Sequence, residues 1–197
     1  MLRAMSTRPN RRETTHDRIV DVASRTLRRS GYAGVGVADV MKQAGLTHGG
    51  FYAHFESRDA LLAEAIERAG RDSAANISRR IAAARTRGHS TLRGLVEGYL
   101  SDEHLQSAET GCVVAATSSE MPRQTAALRA LSSARVTNLI AMVRQALPKS
   151  GSQEQATVIA ATMVGALQLA RTVGPSAQGK GLLAAARKAL LAQHDTE

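Results

Sequence analysis

Residues 46–55 read LTHGGFYAHF, and the reading of this stretch decides the fold. Its edges look helical, yet Gly49 and Gly50 stand side by side in it. Each glycine inside a helix costs about 1 kcal/mol relative to alanine. Around them sit His48, Phe51, Tyr52, His54 and Phe55, and four of the chain's five aromatic residues fall between Tyr32 and Phe55. On a helix turning 100° per residue, Phe51 and Phe55 point together, toward a core. Gly49, Gly50 and Ala53 fall roughly opposite, and Tyr52 and His54 lie on the flanks. The spacing predicts a short helix with a buried aromatic face and a nearly bare outer one. A bare face admits close approach of the backbone to another surface.

Upstream, Ile19, Val22, Ala23, Thr26 and Leu27 form one apolar stripe. They predict a helix over residues 15–30, capped by Thr14 or Thr15 and stopped at Gly31. Val37, Val40, Met41 and Ala44 predict a second helix over 37–44, ended by Gly45. Thr47 is positioned to cap the third, and Ser57 a fourth that runs past residue 80. Two short helices joined by a tight glycine turn form a helix-turn-helix, with the third helix as the recognition helix. Residues 1–13 carry Arg3, Arg8, Arg11 and Arg12 against Glu13 alone and read as a flexible basic arm.

Everything beyond residue 85 also reads as helix. Breaks fall at TRGHS (86–90), SAETG (107–111), PKSG (148–151) and VGPSAQGKG (173–181). One helix is expected over 91–106. Pro122 suits the first turn of the next long helix, and Ser152 with Gln155 forms a capping box. The expected fold is all-α, about nine helices, with a three-helix helix-turn-helix module joined to a larger helical domain. The expected divisions are the arm at 1–13, the module at 14–57 and the larger domain at 58–197.

The 197 residues carry a formal net charge of +9, which favours polyanionic partners. The single cysteine, Cys112, rules out an intramolecular disulfide framework. No apolar run is expected to reach the ~20 residues of a membrane span, and the basic N-terminus lacks a signal core. A cytoplasmic protein without membrane association is the expectation. No Gly-rich phosphate loop, metal-spaced Cys/His cluster or nucleophile elbow is found in the sequence. No enzyme activity, metal or cofactor is therefore expected.

Residues 18–66, RIVDVASRTLRRSGYAGVGVADVMKQAGLTHGGFYAHFESRDALLAEAI, resemble the DNA-binding half of the TetR family of transcriptional regulators. The matching positions are Ile19, Ala23, Leu27, Gly31, Tyr32, Val37, Asp39, Val40, Ala44, Gly45, Leu46, Gly49, Tyr52, His54, Phe55, Ser57, Leu61 and Leu62. Where the family usually has a Thr or Ser cap before Val37, this chain has Gly36. The remainder matches in length, helical character and helix order, and GCVVAATSSEMPRQ (111–124) resembles a segment of one branch of the family's regulatory domains.

The resemblance implies a homodimer binding a palindromic double-stranded DNA operator, most often as a repressor, with an unknown small-molecule effector. It places Tyr52, His54 and Arg58 at phosphates and His48 at a base or phosphate. Thr47 and the backbone N–H groups at the helix start add anion-binding groups. Gly49 and Gly50 permit the approach, and Lys42 is an additional cation. The dimer would form through ATVIAATMVGALQLA (156–170) and GLLAAARKALLAQ (181–193), rich in small residues. Tyr99, Cys112, Met121, Met142, Met163 and Gln168 are the candidate effector-pocket residues. Tyr99 is the only aromatic in that half, which points to a small or flexible apolar effector. The alternatives are a transcriptional activator, a thiol-based electrophile or redox sensor through Cys112, and, more remotely, a basic membrane-surface protein.

Overall fold

The computed structural model describes residues 11–195. Among them are nine α-helices and no strand. The expected arm falls largely outside this range, but its last residues do not behave as an arm. Helix α1 spans Arg11–Ser30, starting four residues before the expected 15–30. The Thr15 hydroxyl turns inward to the Arg11 carbonyl (2.9 Å), and Arg12 donates to the Ala53 carbonyl (2.7 Å). The α1 terminus is thereby tied to the segment after the second helix.

Gly31 ends α1 with a left-handed backbone (φ 71°). Helix α2, Val37–Gln43, follows Gly36, which offers no side-chain cap. Gly45 (φ 69°) turns the chain, and the Leu46 N–H returns to the Met41 carbonyl at 2.9 Å. Ser57 caps α3, Arg58–Arg85, by accepting from the Ala60 N–H. This one continuous helix begins beside the helix-turn-helix and ends deep in the second half of the molecule.

The second half comprises α4 (Thr91–Tyr99), α5 (Asp102–Gln106), α6 (Val113–Thr117), α7 (Ala126–Ala146), α8 (Gln153–Val173) and α9 (Ala177–His194). The helix expected over 91–106 is two helices. The Ser101 hydroxyl accepts the His104 N–H and starts α5, while Arg187 from α9 takes the Leu100 carbonyl. Pro122 lies in a separate 3₁₀ turn, Met121–Arg123, ahead of α7. The expected loop at 173–181 is shorter, because Ser176 caps α9 by accepting the Gly179 N–H (3.2 Å). A Cβ at Gly179 would lie 2.1 Å from the Gly174 carbonyl oxygen, so the α8–α9 corner closes only on a glycine.

Two apolar cores result. One joins α4 with α7–α9 around Leu95, Val96, Val143, Ile159 and Leu167. The other fills the N-terminal module around Ile19, Leu27, Val40, Phe51 and Leu62. Val113, Met121 and Leu128, from beyond α3, complete the N-terminal core. The Tyr32 N–H donates to Glu120 Oε2 (3.1 Å), and its hydroxyl meets Ser132 Oγ (2.9 Å). Arg28, in the last turn of α1 where a cation suits the helix dipole, is buried and reaches Asp72 at 3.4 Å and the Ala69 carbonyl at 3.5 Å on α3.

One expectation fails on composition. Helix α8 is long and apolar enough to cross a membrane, with mean hydropathy 1.4 over 18 residues. Here Ala156, Ile159, Ala160, Met163, Leu167 and Ala170 bury one side of it against its neighbours. Its other side exposes Val158 (58%) and Leu169 (60%).

Gly31 and Gly88 both have positive φ, but only Gly31 faces a carboxylate, with Glu120 Oε1 2.0 Å from a built Cβ; Gly88 faces open space. Gly88→Ala is expected to cost about 1 kcal/mol, from the left-handed backbone alone. Gly31→Ala is expected to cost at least about 1 kcal/mol more, read as a larger drop in urea midpoint.

Candidate functional site

The segment LTHGGFYAHF folds as a 3₁₀ helix, His48–Ala53, instead of the expected α-helix. The Gly50 N–H bonds the Thr47 carbonyl (3.1 Å) and the His54 N–H bonds the Phe51 carbonyl (2.9 Å), both three residues back. Adjacent glycines weaken α-helical propensity, and the two aromatic anchors fix the ends of the segment. Phe51 and Phe55 are 1% and 3% exposed, with rings 5.5 Å apart. In a 3₁₀ helix residues three apart eclipse, so Tyr52 stands over Gly49. Tyr52 is 72% exposed, and a Cβ at Gly49 would meet nothing within 4 Å. Gly50 differs: it is half-buried, with Met41 Cε 3.6 Å from a built Cβ, and so faces α2.

Thr47, His48 and Lys42 are exposed beside Tyr52. His54 is half-buried, its Nδ1 enclosed without a hydrogen-bond partner and its ring 5.9 Å from that of His16. Burial, reinforced by His16 and Arg12, lowers its pKa below the ordinary histidine value. His54 packs beside the His16–Phe55 stack, whose rings are 4.5 Å apart. Arg58 departs most from expectation. Its Nε donates to the Val35 carbonyl (2.9 Å), and a terminal nitrogen donates to the Tyr32 carbonyl. Both carbonyls lie in the turn between α1 and α2, so Arg58 holds that turn in place; its donors are directed inward.

The second feature is a cavity of about 650 Å³ walled by α3, α4, α5, the 107–112 segment, α6 and α7. Of the six expected pocket residues, Tyr99, Cys112 and Met142 line it. Met121 instead fills the N-terminal core, and Met163 lies at 0% exposure in the core of the second half. Gln168 Nε2 donates to Ser118 Oγ (2.7 Å) at the α8–α6 contact. These three sit on faces that helical periodicity marks as inward, but inward here means packed against another helix. The wall also carries Arg71, Asn76, Arg79 and Arg80 from α3 and Arg135 and Asn138 from α7. On α3, Arg79 and Arg80 follow Asn76 by three and four residues, a polar stripe that in sequence looks the same as a solvated face.

At the inner end, His104 Nδ1–H donates to the Tyr99 carbonyl (2.6 Å), and His104 Nε2 accepts the Cys112 N–H (2.9 Å). Both ring nitrogens are used, which fixes the neutral tautomer. Burial first, then Arg171 and Arg80, lowers the His104 pKa to about 4 against the raising effect of the Tyr99 carbonyl. The Tyr99 ring packs edge-on to it at 4.9 Å. The Tyr99 hydroxyl is buried with only the weakly bonding Cys112 thiol beside it, and burial first, then Cys112, raises its pKa well above the ordinary value. Arg171 donates to the His104 carbonyl (2.8 Å). Among the described residues, no cluster of three or more His, Cys, Asp or Glu could hold a metal ion.

A glycine-turned helix pair with an exposed edge, linked by one helix to a bundle enclosing a cavity, defines a helix-turn-helix regulator fold. Residues 19–65 match the family model described as bacterial regulatory proteins, tetR family, and the chain has the DNA-binding module and the fold of TetR-family transcriptional regulators. It is similar to a TetR transcriptional regulator from Chloroflexus aurantiacus J-10-FL at 25% identity, covering 93% of this chain and 96% of that one, with TM-score 0.76. It also superposes on a TetR transcriptional regulator from Legionella pneumophila (17% identity, 95% and 99% covered, TM-score 0.74). The reduced form of E. coli NemR superposes as well (21% identity, 90% and 95% covered, TM-score 0.70). A comparison with curated protein sequences finds no match.

His104 gives a pH signature. Between its ordinary value of 6.5 and about 4, the unfolded chain binds a proton that the folded chain excludes. Stability is therefore fullest above about pH 6.5 and falls toward pH 4, by about 3 kcal/mol from this residue. His104→Gln is expected to lower stability at neutral pH and to flatten that slope in thermal melts.

Proposed function

We propose that this protein is a ligand-responsive transcriptional repressor that binds a palindromic operator as a cytoplasmic homodimer. Residues 14–57 act as the DNA-binding module, and 58–197 bind the effector and form the dimer. The observation that carries the reading is the exposed edge of Thr47, His48, open Gly49 and Tyr52, held rigidly from behind by Phe51 and Phe55. A helix start of this kind presents backbone N–H groups to phosphate and its first side chains to base edges. His48 reads bases, Tyr52 donates to phosphate, and Lys42 adds charge. His54 supports the edge through its packing, and Arg58 acts by positioning α2. The net charge of +9 favours the approach to DNA.

The outer side of α8 supports the dimer. Val158 and Leu169 are exposed there, and Gly165 on α8 and Gly181 on α9 have open space where a Cβ would stand. Small residues let two copies of this helix pair approach closely, with C2 symmetry and a four-helix contact. Control by an effector requires a ligand that binds one conformation better than the other. The cavity wall and the N-terminal core share Val113, and α3 runs through both. Filling the cavity therefore bears on the pose of the DNA-binding edge. Cys112 is buried, 7% exposed as a residue, which supports a packing role in this wall over a freely reacting thiol.

Selection of bound fragments from genomic DNA with the purified protein is expected to return a palindrome; recovery without a two-fold motif would refute the reading. His48→Ala is expected to reduce discrimination between operator variants, and Tyr52→Phe to weaken all of them by a similar factor, about 1 kcal/mol per contact. Leu169→Glu is expected to yield monomers in sedimentation at micromolar concentration and to abolish operator binding at wild-type protein levels.

A further inference from the structure

The α3–α7 cavity differs in character from the apolar pocket that its single aromatic residue led us to expect. Its wall holds four arginines, Arg71, Arg79, Arg80 and Arg135, and one carboxylate, Glu103. Arg80 pairs with Glu103 (2.7 Å), and Arg135 pairs with Glu67 on α3 (3.3 Å). Arg79 bonds only the neutral Asn76 side chain, and Arg71 has no acidic partner among the described residues. The wall therefore carries uncompensated positive charge.

A second, independent feature points the same way. Tyr99, 1% exposed, lines the cavity, and its buried hydroxyl has only the Cys112 thiol beside it. A thiol is a weak hydrogen-bond partner, and a ligand oxygen would be a stronger acceptor. The rest of the wall is apolar, with Ile77, Leu139 and Met142 among its residues.

We infer that the cavity takes an amphiphilic organic anion: a carboxylate or phosphate head balanced by the α3 arginines, an apolar body, and an oxygen that accepts from Tyr99. Arginine suits this role, because its planar fork matches both head groups, and Arg71 and Arg79 are exposed along the cavity wall, where an entering anion meets them. A cationic amphiphile of the same shape would add charge to a wall that already has a surplus. A neutral one would leave that surplus unmet. The inference specifies the ligand class for the effector cavity of the proposed repressor and rests on that reading.

Four probes sharing one chain test it: decanoate, decyl phosphate, decanol and decyltrimethylammonium, titrated calorimetrically into the full-length protein below their micelle-forming concentrations. Decanoate or decyl phosphate is expected to bind at least ten-fold more tightly than decanol and decyltrimethylammonium, and the stronger of the two identifies the head group. Arg71→Ala and Arg79→Ala are each expected to weaken that binding three-fold or more. Arg123→Ala, an exposed arginine outside the cavity, is expected to leave it unchanged. Tyr99→Phe removes a hydroxyl whose one neighbour in the unliganded chain is the weakly bonding Cys112 thiol, and is expected to weaken the anion while retaining the melting temperature. Equal binding of decanol, binding insensitive to Arg71 and Arg79, or no binding by any probe would overturn the inference. Operator affinity is measured separately on the same samples. Anion-selective binding that leaves operator affinity unchanged supports the anion site and refutes its role as the effector site; loss of operator binding by the unliganded protein refutes the repressor reading alone.

Discussion

The DNA-binding module does not close on itself. Its last wall is supplied from residues far along the chain, and the joint is made at Tyr32. There the backbone N–H is taken by Glu120, the ring is buried, and the hydroxyl meets Ser132 on α7. Gly31 must lack a side chain for the carboxylate to come that close. Removing the joint would leave a buried N–H and a buried hydroxyl without partners, as well as an open core beneath Val113, Met121 and Leu128. The helix-turn-helix thus takes its orientation from the second half of the molecule. The buried Arg28–Asp72 pair and the unbroken α3 fix the same relation from the other side.

This joint explains why the cavity and the exposed edge of the helix-turn-helix belong to one mechanical unit. The segment from Ser107 to Val113 is fastened to α3 by Ser73, which donates to the Gly111 carbonyl (2.8 Å), and by Asn76, which donates to the Thr110 carbonyl (3.1 Å). His104 holds its Cys112 end. One residue further, Val113 enters the N-terminal core. A shift of this strand of chain cannot be absorbed locally, because both of its ends are hydrogen-bonded into packed surroundings.

Much of this was legible from local pattern. The stripe from Ile19 to Leu27, the glycine turns at Gly31 and Gly45, and the Ser57 and Ser152 caps each announce their structure within a few residues. What stayed hidden depends on partners distant in sequence. Arg58 looks like a surface cation until the Tyr32 and Val35 carbonyls appear 26 and 23 residues away. Arg28 looks like a helix-end charge until α3 covers it. Met121, Met163 and Gln168 have the chemistry of pocket residues, and only the packing of whole helices shows that they face other helices. The arginines of α3 have the pattern of a solvated stripe; Arg71 and Arg79 are exposed and line the cavity as well, which only the packing of α3 against α7 reveals. The 3₁₀ geometry of His48–Ala53 was missed because the 100° wheel presumes the helix type it is used to test.

Gly49 has an evolutionary consequence. It lies at the centre of the edge proposed to face DNA, has open space where its side chain would be, and does not use the backbone conformations reserved for glycine. Replacing it requires neither repacking nor strain, since the residues that hold the segment in place are Phe51 and Phe55 on the far side. Anchoring and reading are thereby assigned to different residues, and a lineage carrying this scaffold can acquire a new recognition side chain by one substitution while the fold remains as stable as before. A glycine at this position keeps open a choice of DNA target that a larger residue would already have made.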